Sequence, residues 1–258
     1  MSENKTAIVI PIYKTDFPKE EAMSLRQVCK ILSNHRIIAA VPEHLDTSKV
    51  SSSFPALEYR KFEDSNFKGI RGYNKMMLDS HFYRSFSDFD YILIYQTDAY
   101  VFCDRLQEWV EKGYSYIGAP WIPTKGKYFN FFGKMLLTAN RKLRKNDGTK
   151  PHNTFLYNVG NGGFSLRKVE DFIRITEKYK DRIKEQLSDD KPFYPEDLWI
   201  FYETSPYEIS RPSWKEALGF AFEQNPEKAF ILNDKALPFG CHAWYHKEYS
   251  SFWKNIIK

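Results

Sequence analysis

Four short segments carry residues whose types and spacing could do chemistry. Asp98 closes the apolar run Tyr91-Ile92-Leu93-Ile94-Tyr95 and its continuation Gln96-Thr97. A carboxylate there is costly to bury unless it is paired or bound to a cation. A hard divalent ion takes few protein carboxylates and completes its shell with substrate phosphates. Asp98 therefore reads either as an anchor for a metal and a diphosphate or as the N-cap of a following helix. Gly160-Asn161-Gly162-Gly163 packs three glycines into four positions, as a tight turn or a close approach of backbone to ligand requires. Pro195-Glu196-Asp197 sets two acids at a helix start, where proline and negative charge both favour the helix. One of these acids facing a cleft would instead be a general base. Successive helical positions diverge by about 100°, so the two cannot both face one sugar, which argues against a glycosidase pair set roughly 5 Å apart. His242 lies in the aromatic segment Pro238-Phe239-Gly240-Cys241-His242-Ala243-Trp244, as a hydrogen-bonded structural residue or a ligand. The other histidines show no metal-ligand spacing.

The elements that must position these residues are partly visible. Residues 7–12 form a short β-branched run without alternation, which predicts a strand buried on both faces. A helix is expected over about 19–33 and a second buried strand over 37–41. Strand, helix, strand at this spacing predicts a βαβ unit with parallel strands. Further strands are expected at 57–62, 91–95 and 116–121, and helices from Gly69 to Leu78, near 106–112 and over about 169–186. Ligands of open α/β sheets bind outside the carboxyl ends of the strands. That directs attention to Pro11 and Tyr13, to Pro42-Glu43, to Gln96-Thr97-Asp98 and to Trp121. Residues 123–153 break the pattern and read as a basic, aromatic insertion in a single domain spanning 1–258.

Composition narrows the classes. The chain carries 17 Tyr, 21 Phe and 6 Trp, enough to stack on sugars or bases but equally suited to filling a core. The net charge of +5 suits phosphates, anionic lipids or nucleic acid and does not choose among them. No nucleic-acid motif supports the last of these. Three separated cysteines without a CxxC pair argue against a disulfide scaffold and fit a reducing compartment. No signal-peptide core and no membrane-spanning apolar run is evident, so a cytoplasmic location is expected.

Taken together and in order, the four segments resemble the common core of GT-A glycosyltransferases. The runs YILIYQTDAYVF, YIGAPW, VGNGGFSLR, PEDLW and LPFGCHAW look like the bacterial glycosyltransferase-like family DUF5672, from about Tyr73 to Trp244. The resemblance implies a GT-A-type Rossmann-like fold, with a central, mostly parallel mixed sheet flanked by helices. It implies inverting transfer from a nucleotide-sugar donor, UDP-sugars favoured, to a hydroxyl of a glycan or lipid-linked acceptor, in bacterial surface polysaccharide synthesis. Asp98 would be the last acid of the DxD motif and, with His242, would hold Mn2+ or Mg2+. Gln96 stands where the first acid belongs, so either the cation would rest largely on Asp98, His242 and phosphate oxygens or the enzyme would work without a metal. Asp197 would be the base that deprotonates the acceptor, with Glu196 as the alternative. Gly162 and Gly163 would line the donor sugar. Pro11, Tyr13, Arg71, Asn74 and Thr97 would contact the donor nucleotide.

Two other classes share parts of this inventory. A sugar nucleotidyltransferase normally places a glycine-rich basic loop after the first strand, and Ile12-Tyr13-Lys14-Thr15-Asp16 contains no glycine. A non-catalytic carbohydrate- or nucleotide-sugar-binding protein would explain the aromatics without needing Asp98 and Asp197. Within the insertion, residues 127–145 combine Phe131, Phe132, Leu136 and Leu137 with Arg141, Lys142, Arg144 and Lys145. They would form a basic amphipathic helix at the inner face of the cytoplasmic membrane, a flap over the acceptor site, or a loop with a solvated charged face.

Overall fold

The computed structural model describes residues 5–123, 135, 154–188 and 194–258. The expected insertion, including residues 127–145, lies almost wholly outside the described residues.

The strands are β1 (Thr6–Pro11), β2 (Arg36–Pro42), β3 (Leu57–Phe62), β4 (Tyr91–Tyr95), β5 (Tyr100–Val101), β6 (Tyr116–Ile117), β7 (Phe164–Lys168), β8 (Ala221–Phe222) and β9 (Gly240–Cys241). Six of them form one sheet in the order β3-β2-β1-β4-β7-β6. The pairs β1–β2, β1–β4 and β2–β3 are parallel, whereas β7 runs antiparallel to both β4 and β6. The remaining three form a small sheet in the order β5-β9-β8.

The pleat sorts the apolar runs onto two faces, because successive strand residues point to opposite sides. Ile8 and Ile10 of β1 join Leu93 and Tyr95 of β4 on one face, packed on Leu25 and Val28 of the helix Lys19–Ile31. Ala7, Val9, Ile92 and Ile94 face the other way, onto Met76, Phe82 and Phe172 from the helices Gly69–Met77, Ser80–Arg84 and Val169–Lys178. Covering on both sides is what permits a continuous β-branched strand without polar alternation. The expected helix over 169–186 is two helices, Val169–Lys178 and Lys180–Gln186, broken at Tyr179.

Beneath the end of the sheet lies a cation with no access to water. Arg167 on β7 is fully buried, and its donors are all directed. Its Nη1 donates to Tyr83 Oη at 2.8 Å, and its Nε donates to Ser165 Oγ at 3.0 Å. Its Nη2 reaches Glu196 Oε1 at 3.1 Å and the Gly162 carbonyl at 3.3 Å. The guanidinium also stacks over Phe172, 5.3 Å from the ring centre. Removing one partner of a buried pair leaves the other charge uncompensated, at a cost of about 3–5 kcal/mol. Arg167→Met should therefore lower the unfolding free energy by about that amount in denaturant titration. Arg167→Met combined with Glu196→Gln should recover part of the loss, and a double variant no more stable than the single one would show that the pair is not the source.

Candidate active site

A cleft of about 700 Å³ opens outside the carboxyl ends of β1 and β4. Its walls include Pro11, Tyr13, Asn74, Gln96, Thr97, Asp98, Gly162, Gly163, Glu196, Asp197 and His242. Three of the four segments singled out by chemistry converge here from distant parts of the chain on their own residues, and the fourth, the Gly160 loop, supplies Asn161, Gly162 and Gly163.

Asp98 sits in the turn between β4 and β5. No helix starts there, since the next one begins at Leu106, so the N-cap role falls away. The turn is pinned from beneath. Ala99 N donates to the Gln96 carbonyl at 2.8 Å, and the buried Tyr95 hydroxyl donates to the Ala99 carbonyl at 3.0 Å. Gln96 N donates across to the Gly163 carbonyl at 2.8 Å, which ties the turn to the glycine loop. His242 follows β9 directly, and its Nε2 lies 3.0 Å from Asp98 Oδ1 and 3.0 Å from Gln96 Oε1. On the other side of the ring, Glu223 Oε1 lies 3.3 Å from Nδ1. Burial alone would lower the pKa of His242, but the flanking Asp98 and Glu223 outweigh it and hold the imidazole well above its ordinary value. Burial likewise works against the Asp98 charge, yet His242 keeps that carboxyl below its usual range.

The donor chemistry here suits a divalent cation. A carboxylate oxygen and an amide oxygen each lie 3.0 Å from one imidazole nitrogen. Neighbouring ligands of an octahedral ion with bonds of about 2.1 Å are themselves about 3.0 Å apart. Among the described residues no group of three or more His, Cys, Asp or Glu is disposed to hold a metal. Asp98, His242 and the Gln96 amide are the residues here that could hold such an ion, with the rest of the shell left to a ligand.

Asp197 and Glu196 divide as their helical positions require. The helix Glu196–Glu203 starts after Pro195. Glu196 turns inward to Arg167 and is 4% exposed. Asp197 instead takes backbone donors, from Asn161 N at 3.0 Å to Oδ2 and from Leu198 N at 2.7 Å to Oδ1. Its carboxyl is pushed up to about 7 by burial and by the neighbouring charges of Glu196 and Glu223, against the pull of those two amides. A carboxyl tuned to neutrality in a cleft has the profile of a general base.

The glycines owe their place mainly to space. A Cβ on Gly162 would collide with the Glu196 carboxylate, and one on Gly163 would collide with the His242 ring. The left-handed backbone of the loop is taken by Asn161, at φ 66°. Its Oδ1 accepts from Gly163 N at 3.1 Å, a local bond of the kind that makes Asn tolerant of this region.

The nucleotide-side expectations separate. Pro11, Tyr13, Thr97 and Asn74 all line the cleft, and Tyr13 is 57% exposed. Asn74 is already engaged: its Nδ2 donates to the Ile70 carbonyl at 2.7 Å, and its Oδ1 accepts from Glu196 N. It thereby docks the acidic helix onto the helix Gly69–Met77. Arg71 is not among the cleft-lining residues; its guanidinium binds the carbonyls of Leu187 and Ser188, each at 2.9 Å. Of the other strand ends, Trp121 is buried against Phe155 and Phe201, and Glu43 lies away from this cleft. Glu21, Tyr73, Glu223 and Tyr245 line the cleft without having been singled out in the sequence. Tyr245 lies just past the quoted run LPFGCHAW, while Glu223 has no local signal, since its neighbourhood to His242 arises from pairing of two-residue strands.

Among solved structures, the chain is similar to the galactosyltransferase LgtC determined with donor and acceptor sugar analogues, at 12% identity and a TM-score of 0.57, over 95% of this chain and 91% of that one. It is similar to the bifunctional glycosyltransferase WbbM in its apo form, at 13% identity and a TM-score of 0.53, over 93% of this chain but 46% of WbbM. It is also similar to a glycosyltransferase involved in glycosylation of the major capsid of PBCV-1, at 12% identity and a TM-score of 0.51, over 98% of this chain and 100% of that one. At these identities the likeness is one of fold, and the fold is of the GT-A type. No curated protein matches the chain by sequence. The family described as "Protein of unknown function (DUF5672)" matches residues 56–242, well over half of the chain. The chain belongs to the DUF5672 family.

Proposed function

We propose that this chain is a glycosyltransferase that moves a sugar from a nucleotide-sugar donor to a hydroxyl of a glycan or lipid-linked acceptor, with inversion. One observation carries the reading: Asp98, Gln96 and His242 meet in the same cleft as a carboxyl tuned to about 7, that of Asp197. A UDP-sugar is the favoured donor and bacterial surface polysaccharide the favoured product, both by the family resemblance. Acceptors of the lipid-linked kind would be met at the inner face of the cytoplasmic membrane; among the described residues no helix is long and apolar enough to cross one.

The chemistry is a single in-line displacement. The bond between the anomeric carbon and the diphosphate oxygen breaks as the bond to the acceptor oxygen forms. Asp197 takes the acceptor's proton, and the two backbone N–H groups on its carboxylate hold it in place for that task. Glu196 is committed to Arg167 and acts by fixing the helix that presents Asp197. Asp98 and His242, with Gln96, would hold Mn2+ or Mg2+, which neutralises the charge growing on the leaving diphosphate. Pro11, Tyr13 and Thr97 border the space for the nucleotide, and Gly162 and Gly163 border the sugar. Orientation of two reactants in one cleft supplies much of the remaining barrier reduction.

Thermal unfolding with UDP, GDP, CDP and dTDP, each with and without Mn2+, tests the donor site. A nucleotide at a hundred times its Kd stabilises the fold by about 2.7 kcal/mol. The expected result is a shift with UDP that grows with Mn2+, and Asp98→Ala should lose the Mn2+-dependent part. No shift with any nucleotide would turn the reading toward a glycan-binding protein.

Kinetics test the base. Asp197→Asn should lower kcat by about 10²- to 10⁴-fold with little change in KM. The wild-type rate should rise with pH through about 7 and then level off, because the base acts only when ionised. Turnover retained in Asp197→Asn would assign proton removal to another group.

A further inference from the structure

His242 is held by its backbone on two sides. Its N donates to the Phe222 carbonyl at 3.0 Å, extending the β8–β9 ladder one step beyond the paired Phe222 and Cys241. Immediately after it, Ala243 takes a left-handed conformation at φ 52°, and Trp244 N returns to the Asp98 carbonyl at 3.3 Å. These contacts place the Cα and aim the side chain at the cleft. They leave open the ring's protonated nitrogen and its rotation. A neutral imidazole carries one proton, and a metal can be bound only through the nitrogen without it.

The parallel register supplies the missing partner. β8 and β9 run side by side in the same direction, so the residues that follow them, Glu223 and His242, emerge next to each other at the rim of the cleft. Nδ1 of His242 is buried and has no aligned hydrogen-bond partner among the described residues; the group beside it is Glu223 Oε1, at an ion-pair distance of 3.3 Å, from which a small rotation of either side chain would make the bond. Asp98 and Gln96 both lie on Nε2, and the two ring nitrogens point away from one another. Glu223 therefore cannot share a cation held on the Nε2 side.

We propose that Glu223 is a positioning residue: by accepting the Nδ1 proton of His242 it fixes the tautomer and ring rotation that leave Nε2 free to bind a divalent cation beside Asp98. This rests on the cation reading given above. A ring that ligates a cation keeps only one proton, and the acceptors on its two sides compete for it. Without Glu223, the Asp98 carboxylate at 3.0 Å would draw the proton to Nε2, and His242 would become a hydrogen-bond donor to Asp98 in place of a ligand. With Glu223 present, the Nδ1 proton has its own carboxylate, and Asp98 and Nε2 are both available. Carboxylates that orient ligating histidines in this way are commonly worth about 10- to 100-fold in metal affinity.

The test is Mn2+ titrated into the full chain, with and without UDP, with free Mn2+ read from its EPR signal. Glu223→Ala should weaken Mn2+ binding by about 10- to 100-fold, whereas Glu223→Gln, whose amide oxygen still accepts from Nδ1, should bind close to wild type. Thermal unfolding in excess chelator should show both variants folded. Should Glu223→Ala fail to fold, Glu223→Met, similar in volume and without an oxygen acceptor, takes its place. Equal binding by wild type and Glu223→Ala would overturn the inference while leaving the cation site in place. Glu223→Gln as weak as Glu223→Ala would also overturn it, because charge and not the orienting bond would then be responsible. Absence of Mn2+ binding by the wild type in both conditions would remove the cation site and this inference together.

Discussion

A guanidinium sealed from water needs every donor satisfied, and the way Arg167 satisfies its own dictates how the cleft is built. Its partners come from five places: Tyr83 on the helix Ser80–Arg84, the Met77 sulfur on the helix Gly69–Met77, Ser165 on the same strand, the Gly162 carbonyl in the loop, and Glu196 at the start of the acidic helix. Losing any of them would expose an unsolvated charge, so the pair and its neighbours are fixed relative to β7. The floor of the cleft is thereby tied to a strand of the sheet, β7 between β4 and β6, rather than to a loop. That matters because reacting groups need placement to a fraction of an ångström, and rigid elements supply it better than loops do.

The same pairing sorts the acids of the cleft by role. Glu196 is neutralised by Arg167, and Asp98 and Glu223 share His242 between them. Asp197 has no cation partner among the described residues and keeps only two backbone amides, which do not offset burial and the charges of Glu196 and Glu223. Five carboxylates in one cleft, Glu21 included, would repel one another in a medium that screens poorly. The structure relieves this by giving four of them a cation, Lys14 in the case of Glu21, and letting the fifth rise toward neutrality. Environments that push neighbouring titratable groups apart in this way are what separate acid and base roles in one site.

How much of this was legible in the sequence depended on length and pattern. β1, β2 and β4 were readable because a strand covered on both faces is a bare run of β-branched residues, and the βαβ rule then gave their direction. Asp98 was readable because a carboxylate at the end of such a run is anomalous. β5, β8 and β9 are two residues each and have no periodicity to detect, so the small sheet, and with it the pairing of Glu223 with His242, stayed hidden. The divergence of Glu196 and Asp197 followed from helical geometry, but which of them turns inward is set by Arg167, whose burial nothing local announced. The glycine motif was legible as unusual, yet its reason was not. Asn161 takes the strained backbone, while Gly162 and Gly163 are small because Glu196 and His242 press against them. Arg71 shows the limit of argument by position: its place in the chain suggested a nucleotide, and its donors go to the carbonyls of Leu187 and Ser188.

Displacement at an anomeric carbon needs charge neutralised on the side of the leaving group and a proton removed on the side of the attacking oxygen. The two tasks call for different groups held at a fixed separation, and in the proposed transfer the loop 161–163 would be the spacer. At one end Asn161 N bonds Asp197, and at the other Gly163 gives the His242 ring its room and accepts the bond from Gln96 N. Gly162 between them offers its carbonyl to Arg167, so the spacer is anchored to the same buried cation as the acidic helix. A residue with a side chain at either glycine would force Glu196 or His242 away and change the separation itself. In the proposed reaction the three-residue loop would gauge the distance between the two halves of the chemistry, and its composition follows from the Glu196 and His242 side chains that stand against it.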